Sequence, residues 1–289
     1  MSGRIVILAG GVSSRMKNSS LPVGEIGKNI LDDAANRSKG MIRLGENERP
    51  FLDYLLFNAV QAGYDDAVIV IGENDDSIRN YYESLSPKKI KISYAVQNIP
   101  VGRSKPLGTG DALLQALVSR PDWEDNFFTV CNSDNLYSVN ALSIMLQSRH
   151  ANAMIDYDRN GLIVEKERIE KFAVTLKDAE GFLLDIIEKP SPEEIRKAES
   201  AEGFIGVSMN IFKLNRGMIL PHLINLPLNP VRLEKELPSA IKLMITGNPK
   251  SLYCHKIKEH VPDLTSKNDI LIVKNFIENN YSQFSSRDL

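Results

Sequence analysis

Leu8-Ala9-Gly10-Gly11-Val12-Ser13-Ser14-Arg15-Met16 overlaps the end of the apolar run Arg4–Ala9, and the reading of this junction decides the fold. The run is short, β-branched and not alternating, as expected of a strand buried on both faces of a parallel sheet. Paired glycines after such a strand let backbone N–H groups come close to a phosphate. Ser13, Ser14 and Arg15 add donors and one fixed positive charge. No Gly-Lys-Ser/Thr follows, so this is not a Walker A loop, and the missing G-x-G-x-x-G spacing sets aside the dinucleotide fingerprint. The plainer alternative is a tight strand-to-helix turn carrying a surface arginine.

Outward from this junction, short β-branched runs alternate with amphipathic stretches, the pattern of an α/β protein with a largely parallel sheet. Strands are expected at Ala67–Ile71, Ile90–Val96 and Asn126–Cys131, and helices at Pro50–Gly63, Asp75–Leu85, Gly108–Arg120 and Ser138–His150. Proline opens Pro50–Gly63 and glycine closes it, the usual asymmetry of helix ends. In the second half, Lys171–Leu176 and Phe182–Glu188 read as antiparallel strands around the turn Asp178–Gly181, followed by a helix at Ser191–Ser200 and a strand at Gly206–Phe212. Leu233–Met244 and Lys267–Tyr281 read as helices. Lys17–Ser38 is polar, lacks periodicity and reads as a long loop, the kind that is functional or disordered.

The 289 residues allow one large α/β domain or two small ones. A net charge of −2 argues against a general electrostatic grip on nucleic acid or an anionic membrane, so phosphate chemistry requires a local basic cluster. The run Ile5–Ala9 is too short for a signal-peptide core, and nothing later approaches a membrane span. Cys131 and Cys254, the two cysteines, make neither a disulfide framework nor a four-cysteine zinc site, so a reducing cytoplasm is expected. His150, His222, His255 and His260 form no nucleophile or metal constellation.

The glycine junction resembles the signature loop of the sugar-phosphate nucleotidyltransferases, the glucose-1-phosphate thymidylyltransferases among them, whose usual form is L-A-G-G-x-G-T-R-L. Ser13-Ser14 replaces Gly-Thr, a variant similar to that of the molybdopterin guanylyltransferases. Further segments follow in order. Ser38-Lys39-Gly40-Met41-Ile42 resembles the segment whose lysine binds phosphate, and Arg49–Tyr54 the helix start after it. Tyr94-Ala95-Val96-Gln97 resembles the strand end whose glutamine reads the base, opposite the glycine turn Leu107-Gly108-Thr109-Gly110-Asp111-Ala112. An amide offers both a donor and an acceptor to a base edge; for Gln97 alone, a polar strand end is the plain alternative. Arg103 and Lys105, in an insertion between these pieces, are expected to form a solvated loop.

Ser133-Asp134-Asn135-Leu136-Tyr137 resembles the G-D-N segment whose aspartate binds Mg²⁺, and Val261-Pro262-Asp263-Leu264-Thr265 the W-x-D-x-G-T segment that supplies a second carboxylate. Either aspartate could instead be a helix cap or turn residue. On the acceptor side, Glu188-Lys189-Pro190 resembles the E-K-P segment that meets a sugar hydroxyl and the sugar phosphate. Phe172-Ala173-Val174 is similar to F-G-V, with Ala173 where glycine lets the backbone approach the sugar. Val207–Phe212 loosely resembles N-T-G-I-Y, making Ser208 and Asn210 sugar contacts.

The resemblance thus implies a Rossmann-like three-layer α/β/α (GT-A-like) fold with a mostly parallel mixed sheet. It implies a single domain, with 1–137 as the nucleotide-binding half and 138–289 as the acceptor-binding half. Arg15, Lys39 and Asp134 would be catalytic; Leu8, Ala9, Gly10, Gly11, Ser13, Ser14, Gln97, Gly108 and Thr109 would hold the nucleotide. Ala173, Glu188, Lys189, Ser208 and Asn210 would hold the acceptor, and Asp134 and Asp263 the Mg²⁺. Substrates would be a nucleoside triphosphate and a sugar 1-phosphate; the resemblance also suggests a homo-oligomer. A same-fold enzyme acting on molybdopterin, methylerythritol phosphate or phosphocholine, and a silent nucleotide-binding protein, are the competing readings. No hexapeptide repeat follows the last helix, so no left-handed β-helix acyltransferase domain is expected.

Overall fold

The computed structural model describes residues 2–19, 26–45, 48–124, 126–282, 284 and 288–289. The first half runs β1 (Arg4–Leu8), α1 (Ser14–Asn18), α2 (Lys28–Asn36), β2 (Arg43–Leu44), β3 (Arg49–Pro50), α3 (Phe51–Ala62), β4 (Asp66–Gly72), α4 (Ser77–Leu85), β5 (Lys91–Gln97), α5 (Thr109–Ser119), β6 (Phe127–Asn132) and α6 (Val139–Gln147). The second continues with β7 (Ala153–Asp158), α7 (Lys166–Ile169), β8 (Val174–Lys177), β9 (Leu183–Ile187), α8 (Pro192–Ala198), β10 (Gly206–Asn215), α9 (Arg216–Ile224), α10 (Leu237–Gly247), β11 (Tyr253–Ile257) and α11 (Asp269–Asn280).

The main sheet has the order β11-β7-β10-β6-β1-β4-β5, with the β8–β9 hairpin branching from β10. β1 pairs in parallel with both β4 and β6, while β10 is antiparallel to β6 and β7. The apolar run of β1 serves two cores at once. Ile5 and Ile7 join residues of α3, α6 and α11 on one face; Val6 and Leu8 join α5, α9 and α10 on the other. Alternate side chains of a strand point to opposite faces, so a continuous apolar run requires helices on both. Each fully buried Ile or Leu contributes about 1.5–3 kcal/mol. The result is the expected mixed, mostly parallel sheet between helical layers.

The order reverses at β1: β4 and β5 lie to one side and β6 to the other. Loops leaving the carboxyl ends of β1 and β6 therefore splay apart and frame a crevice, the usual ligand position in open α/β sheets.

Several expectations need correction. Lys17–Ser38 is not one loop: α1 ends in it and α2 occupies Lys28–Asn36, while residues 20–25 of it lie outside the described residues. The helix expected from Leu233 begins at Leu237, with Pro238 in its first turn; a start at Leu233 would put that proline in the helix interior, where its ring clashes with the carbonyl one turn back and a hydrogen bond is lost. β7, β11 and α9 were not read from the sequence. α9 carries Pro221 within it, which hides its helical pattern. β7 is buried throughout yet contains Asp156 and Asp158. Asp156 is matched by Thr175 at 2.6 Å and Lys177 at 2.8 Å, partners supplied by β8.

Three of the four histidines have side-chain partners within the protein. His150 stacks on Tyr253 at 4.1 Å between ring centroids, His255 shares a 2.9 Å hydrogen bond with Ser148, and His260 Nδ1 accepts from Ile163 N–H. Among the described residues no helix is long and apolar enough to cross a membrane.

Arg120 fastens the end of α5 to the start of β4 with a bidentate grip on Asp66 at 2.8 and 2.6 Å, and lies over Trp123. Its side chain is only 10% exposed. Arg120→Ala strands Asp66 in a shielded position and is expected to lower unfolding free energy by about 3 kcal/mol in urea denaturation. A loss under about 1 kcal/mol would show that solvent already compensates the pair.

Candidate active site

The glycine junction is built on β1. Ala9 N–H donates to Val70 O at 2.9 Å, continuing the β1–β4 ladder by one residue. Gly10 is needed for packing: a Cβ there would lie 3.0 Å from Gln97 Oε1. Gly11 is not, since a Cβ there would meet nothing within 4 Å. Ser13 takes the left-handed conformation, φ 55°, and starts α1. Met16 is fully buried and anchors that helix, while Ser14 and Arg15 stay exposed. The far end of α1 is gripped from the other end of the chain. Lys267 Nζ donates to Lys17 O at 3.1 Å and Ser19 O at 2.9 Å, and Lys267 N–H donates to Ser19 Oγ at 3.0 Å.

Beside this loop, Ser133 N–H donates to Leu8 O at 3.1 Å, so Asp134 leaves the sheet next to Ala9. Asn135 and Asp263 form an antiparallel bridge. Leu136 N–H donates to Pro262 O at 2.8 Å and Leu264 N–H to Asp134 O at 2.9 Å. The two sequence-predicted carboxylates, 129 positions apart in the chain, thus come together through main-chain bonds. Lys39, in the tight turn Lys39–Met41, donates to Asp134 Oδ2 at 2.7 Å. Asp263 is held by Arg168 Nη2 at 2.5 Å, and Thr265 Oγ1 lies 2.9 and 3.0 Å from its two oxygens. Burial, and then the neighbouring Asp134 charge, push the Asp263 carboxyl up to about 6, against the pull of Arg168 and Lys39. Two adjacent carboxylates flanked by two cations are able to hold a small divalent ion and polyanionic oxygens.

Gln97 is only 2% exposed. Its amide nitrogen donates to Gly108 O at 2.9 Å and Asp111 Oδ2 at 2.8 Å, while its oxygen faces Gly10. The side chain therefore locks the end of β5 to both glycine turns. Gly108, at φ +105°, allows close approach of residues 234–235: a Cβ would lie 2.9 Å from Lys235 O. Thr109 Oγ1 accepts from Leu237 N–H at 2.9 Å. Arg103 and Lys105 tie their insertion to Leu233 O and Glu234 at 2.8 and 2.5 Å.

Among the residues expected to meet an acceptor, Ser208 is buried and its N–H donates to Ala173 O at 2.9 Å. The β10–β7 register shifts between Ser208 and Phe212, and Asn210 sits there at φ 55°. Asparagine is among the few non-glycine residues that accept that conformation. Tyr137 O–H, two residues beyond Asn135, donates to Met209 O at 2.6 Å and links this bulge to the Asp134 segment. Glu188 is exposed and lies 3.8 Å from Arg232; Lys189 is exposed in the left-handed region at φ 49°. Among the described residues no hydrogen bond or ion pair joins Glu188, Lys189 or Arg15 to the Asp134–Asp263 centre.

Arg168, Lys267, Asp111 and Arg232 were not singled out from the sequence. Of these, Asp111 alone stood inside a quoted motif; Arg168 lies in a short charged stretch with no pattern to expose it.

The sequence profile of the nucleotidyl transferase family matches residues 26–279. The chain belongs to that family. Among curated relatives, this nucleotidyltransferase is 24% identical over 159 residues to a UTP–glucose-1-phosphate uridylyltransferase of Synechocystis sp., a match covering 54% of the chain and 40% of that protein. It is 21% identical over 276 residues to the bifunctional protein GlmU of Staphylococcus epidermidis, covering 94% of the chain and 51% of GlmU. The chain thus spans about half the length or less of these curated relatives. A solved UDP-glucose pyrophosphorylase complexed with UDP-glucose superposes with a TM-score of 0.69 at 18% identity, over 96% of this chain and 99% of that one. The nucleotidyltransferase shares that protein's fold.

Proposed function

We propose that this nucleotidyltransferase transfers a nucleoside monophosphate unit from a nucleoside triphosphate to a sugar 1-phosphate, giving a nucleoside-diphosphate sugar and pyrophosphate. The single observation that carries this reading is the joining of Asp134 and Asp263 beside the glycine loop that follows β1. The names of the relatives and of the superposed structure make a uridine nucleotide and glucose 1-phosphate the first pair to try.

The donor set fits Mg²⁺. Both candidate ligands are hard oxygens, and among the described residues no third His, Cys, Asp or Glu completes an all-protein cage. Magnesium is usually held by one or two carboxylates together with substrate phosphates. Asp134 and Asp263 would hold it, and when bound it would neutralise phosphate charge as a Lewis acid. Gly11, which no contact within the protein explains, suits close passage of a phosphate over the backbone, with Ser13, Ser14 and Arg15 alongside. Lys39, released from Asp134, reaches the same phosphates.

An oxygen of the acceptor phosphate, already anionic at neutral pH, attacks the α-phosphorus in line. The bond from that phosphorus to the bridging oxygen breaks, and pyrophosphate departs with the electron pair. No general base is required; positioning and charge neutralisation lower the barrier. Lys189 would hold the acceptor phosphate and Glu188 a sugar hydroxyl. The buried free thiols of Cys131 and Cys254 suit a reducing cytoplasm.

The test is pyrophosphate release with each common nucleoside triphosphate against a panel of sugar 1-phosphates, with molybdopterin, methylerythritol phosphate and phosphocholine as non-sugar arms. Turnover restricted to sugar 1-phosphates supports the reading. Turnover only with a non-sugar acceptor, or nucleotide binding without pyrophosphate from any pair, overturns it.

A further inference from the structure

Arg168 comes from α7, in the connection between β7 and β8, yet its guanidinium reaches into the acidic centre. It bridges two carboxylates: Nη2 donates to Asp263 Oδ2 and Nη1 to Asp269 Oδ1. All three side chains are shielded, at 21, 12 and 10% exposure. Asp269 is itself fixed, because its Oδ2 accepts from Thr265 N–H at 3.0 Å and from Ser266 N–H at 2.6 Å. The first turn of α11 therefore forms a rigid footing, Arg168 stands on it, and Asp263 is pressed between Arg168 and Asp134. With Oδ2 taken by Arg168 and Thr265 shared between both oxygens, Oδ1 keeps lone pairs free.

We infer that Arg168 is a positioning residue, holding Asp263 in the orientation that receives the divalent cation. This rests on the proposed metal role of Asp134 and Asp263. The planar guanidinium offers a separate nitrogen to each carboxylate in a fixed geometry; a lysine ammonium is a compact point charge without that fork. Groups that orient a metal ligand typically alter metal affinity by about 10–100-fold when removed.

The test is Mn²⁺ alone, titrated into the full chain and followed by the electron paramagnetic resonance signal of free Mn²⁺. Wild type, Arg168→Lys, Arg168→Ala, Asp269→Asn and Asp134→Ala are compared. Both Arg168 variants are expected to bind Mn²⁺ about 10-fold more weakly or worse. In turnover they should raise the half-saturating Mg²⁺ concentration by a similar factor, while kcat at saturating Mg²⁺ falls much less. Asp269→Asn keeps the acceptor for Thr265 and Ser266 but loses the charge that steadies Arg168, so it weakens Mn²⁺ binding even if Arg168→Ala does not fold. Unchanged Mn²⁺ affinity in Arg168→Lys and Asp269→Asn, with affinity lost in Asp134→Ala, overturns the role of Arg168 alone. Mn²⁺ binding that is absent from wild type, or indifferent to Asp134→Ala, overturns the metal reading and this inference with it.

Discussion

Asp134→Ala should abolish magnesium-dependent pyrophosphate release, a fall of at least about 10³-fold, while leaving the fold intact. The main-chain bond from Leu264 N–H to Asp134 O and the Asn135–Asp263 bridge do not involve the Asp134 side chain. The variant therefore keeps the architecture and loses one of two carboxylates. Its ion pair with Lys39 is partly exposed, 27% on the aspartate side, so its loss costs stability little. Steady-state rates over a range of Mg²⁺, beside a thermal melt, check both halves. Activity within tenfold of wild type at ordinary Mg²⁺ would remove Asp134 from the chemistry.

The second large effect is expected at Arg15. The side chain is exposed, and among the described residues it has no ion-pair partner. A surface side chain without native contacts changes stability by about 0.5 kcal/mol or less when truncated. A phosphate-binding cation whose contact strengthens in the transition state has a very different signature. Its loss costs about 10²-fold or more in kcat/KM for the triphosphate. Arg15→Ala thus separates the two readings of the glycine junction. A stable protein with at least hundredfold lower kcat/KM marks a phosphate ligand. A stable protein with near-normal kinetics marks a strand-to-helix turn with a surface arginine.

The parts of the molecule legible in the sequence share a property: each depends on residues close in the chain. The apolar run of β1, the glycines after it, and the proline and glycine bounding α3 announce their geometry locally. The aspartates at 134 and 263 could be named because each sits in a short motif, although nothing local says that Asn135 pairs with Asp263. What escaped notice depends on distant partners. β7 was obscured by Asp156, whose burial makes sense only once Thr175 and Lys177 of β8 are beside it. Arg168 shows its purpose only after Asp263 and Asp269 have folded back onto it. Gln97 was singled out as a reader of bases, and the structure adds a bracing contact to two glycine turns. The same amide nitrogen also donates to Asp111, a residue with no signal of its own.

The clasp of Lys267 on the end of α1, together with the Asn135–Asp263 bridge, has a bearing on biosynthesis. A domain generally folds as a unit once it has left the ribosome. The glycine loop and Asp134 emerge early, but they lack their closing partners until residues 263–267 have cleared the exit tunnel. On the proposed role of Asp134 and Asp263, a nascent chain without that stretch would hold an incomplete site. Translation of residues 263–267 would then be the step that completes it.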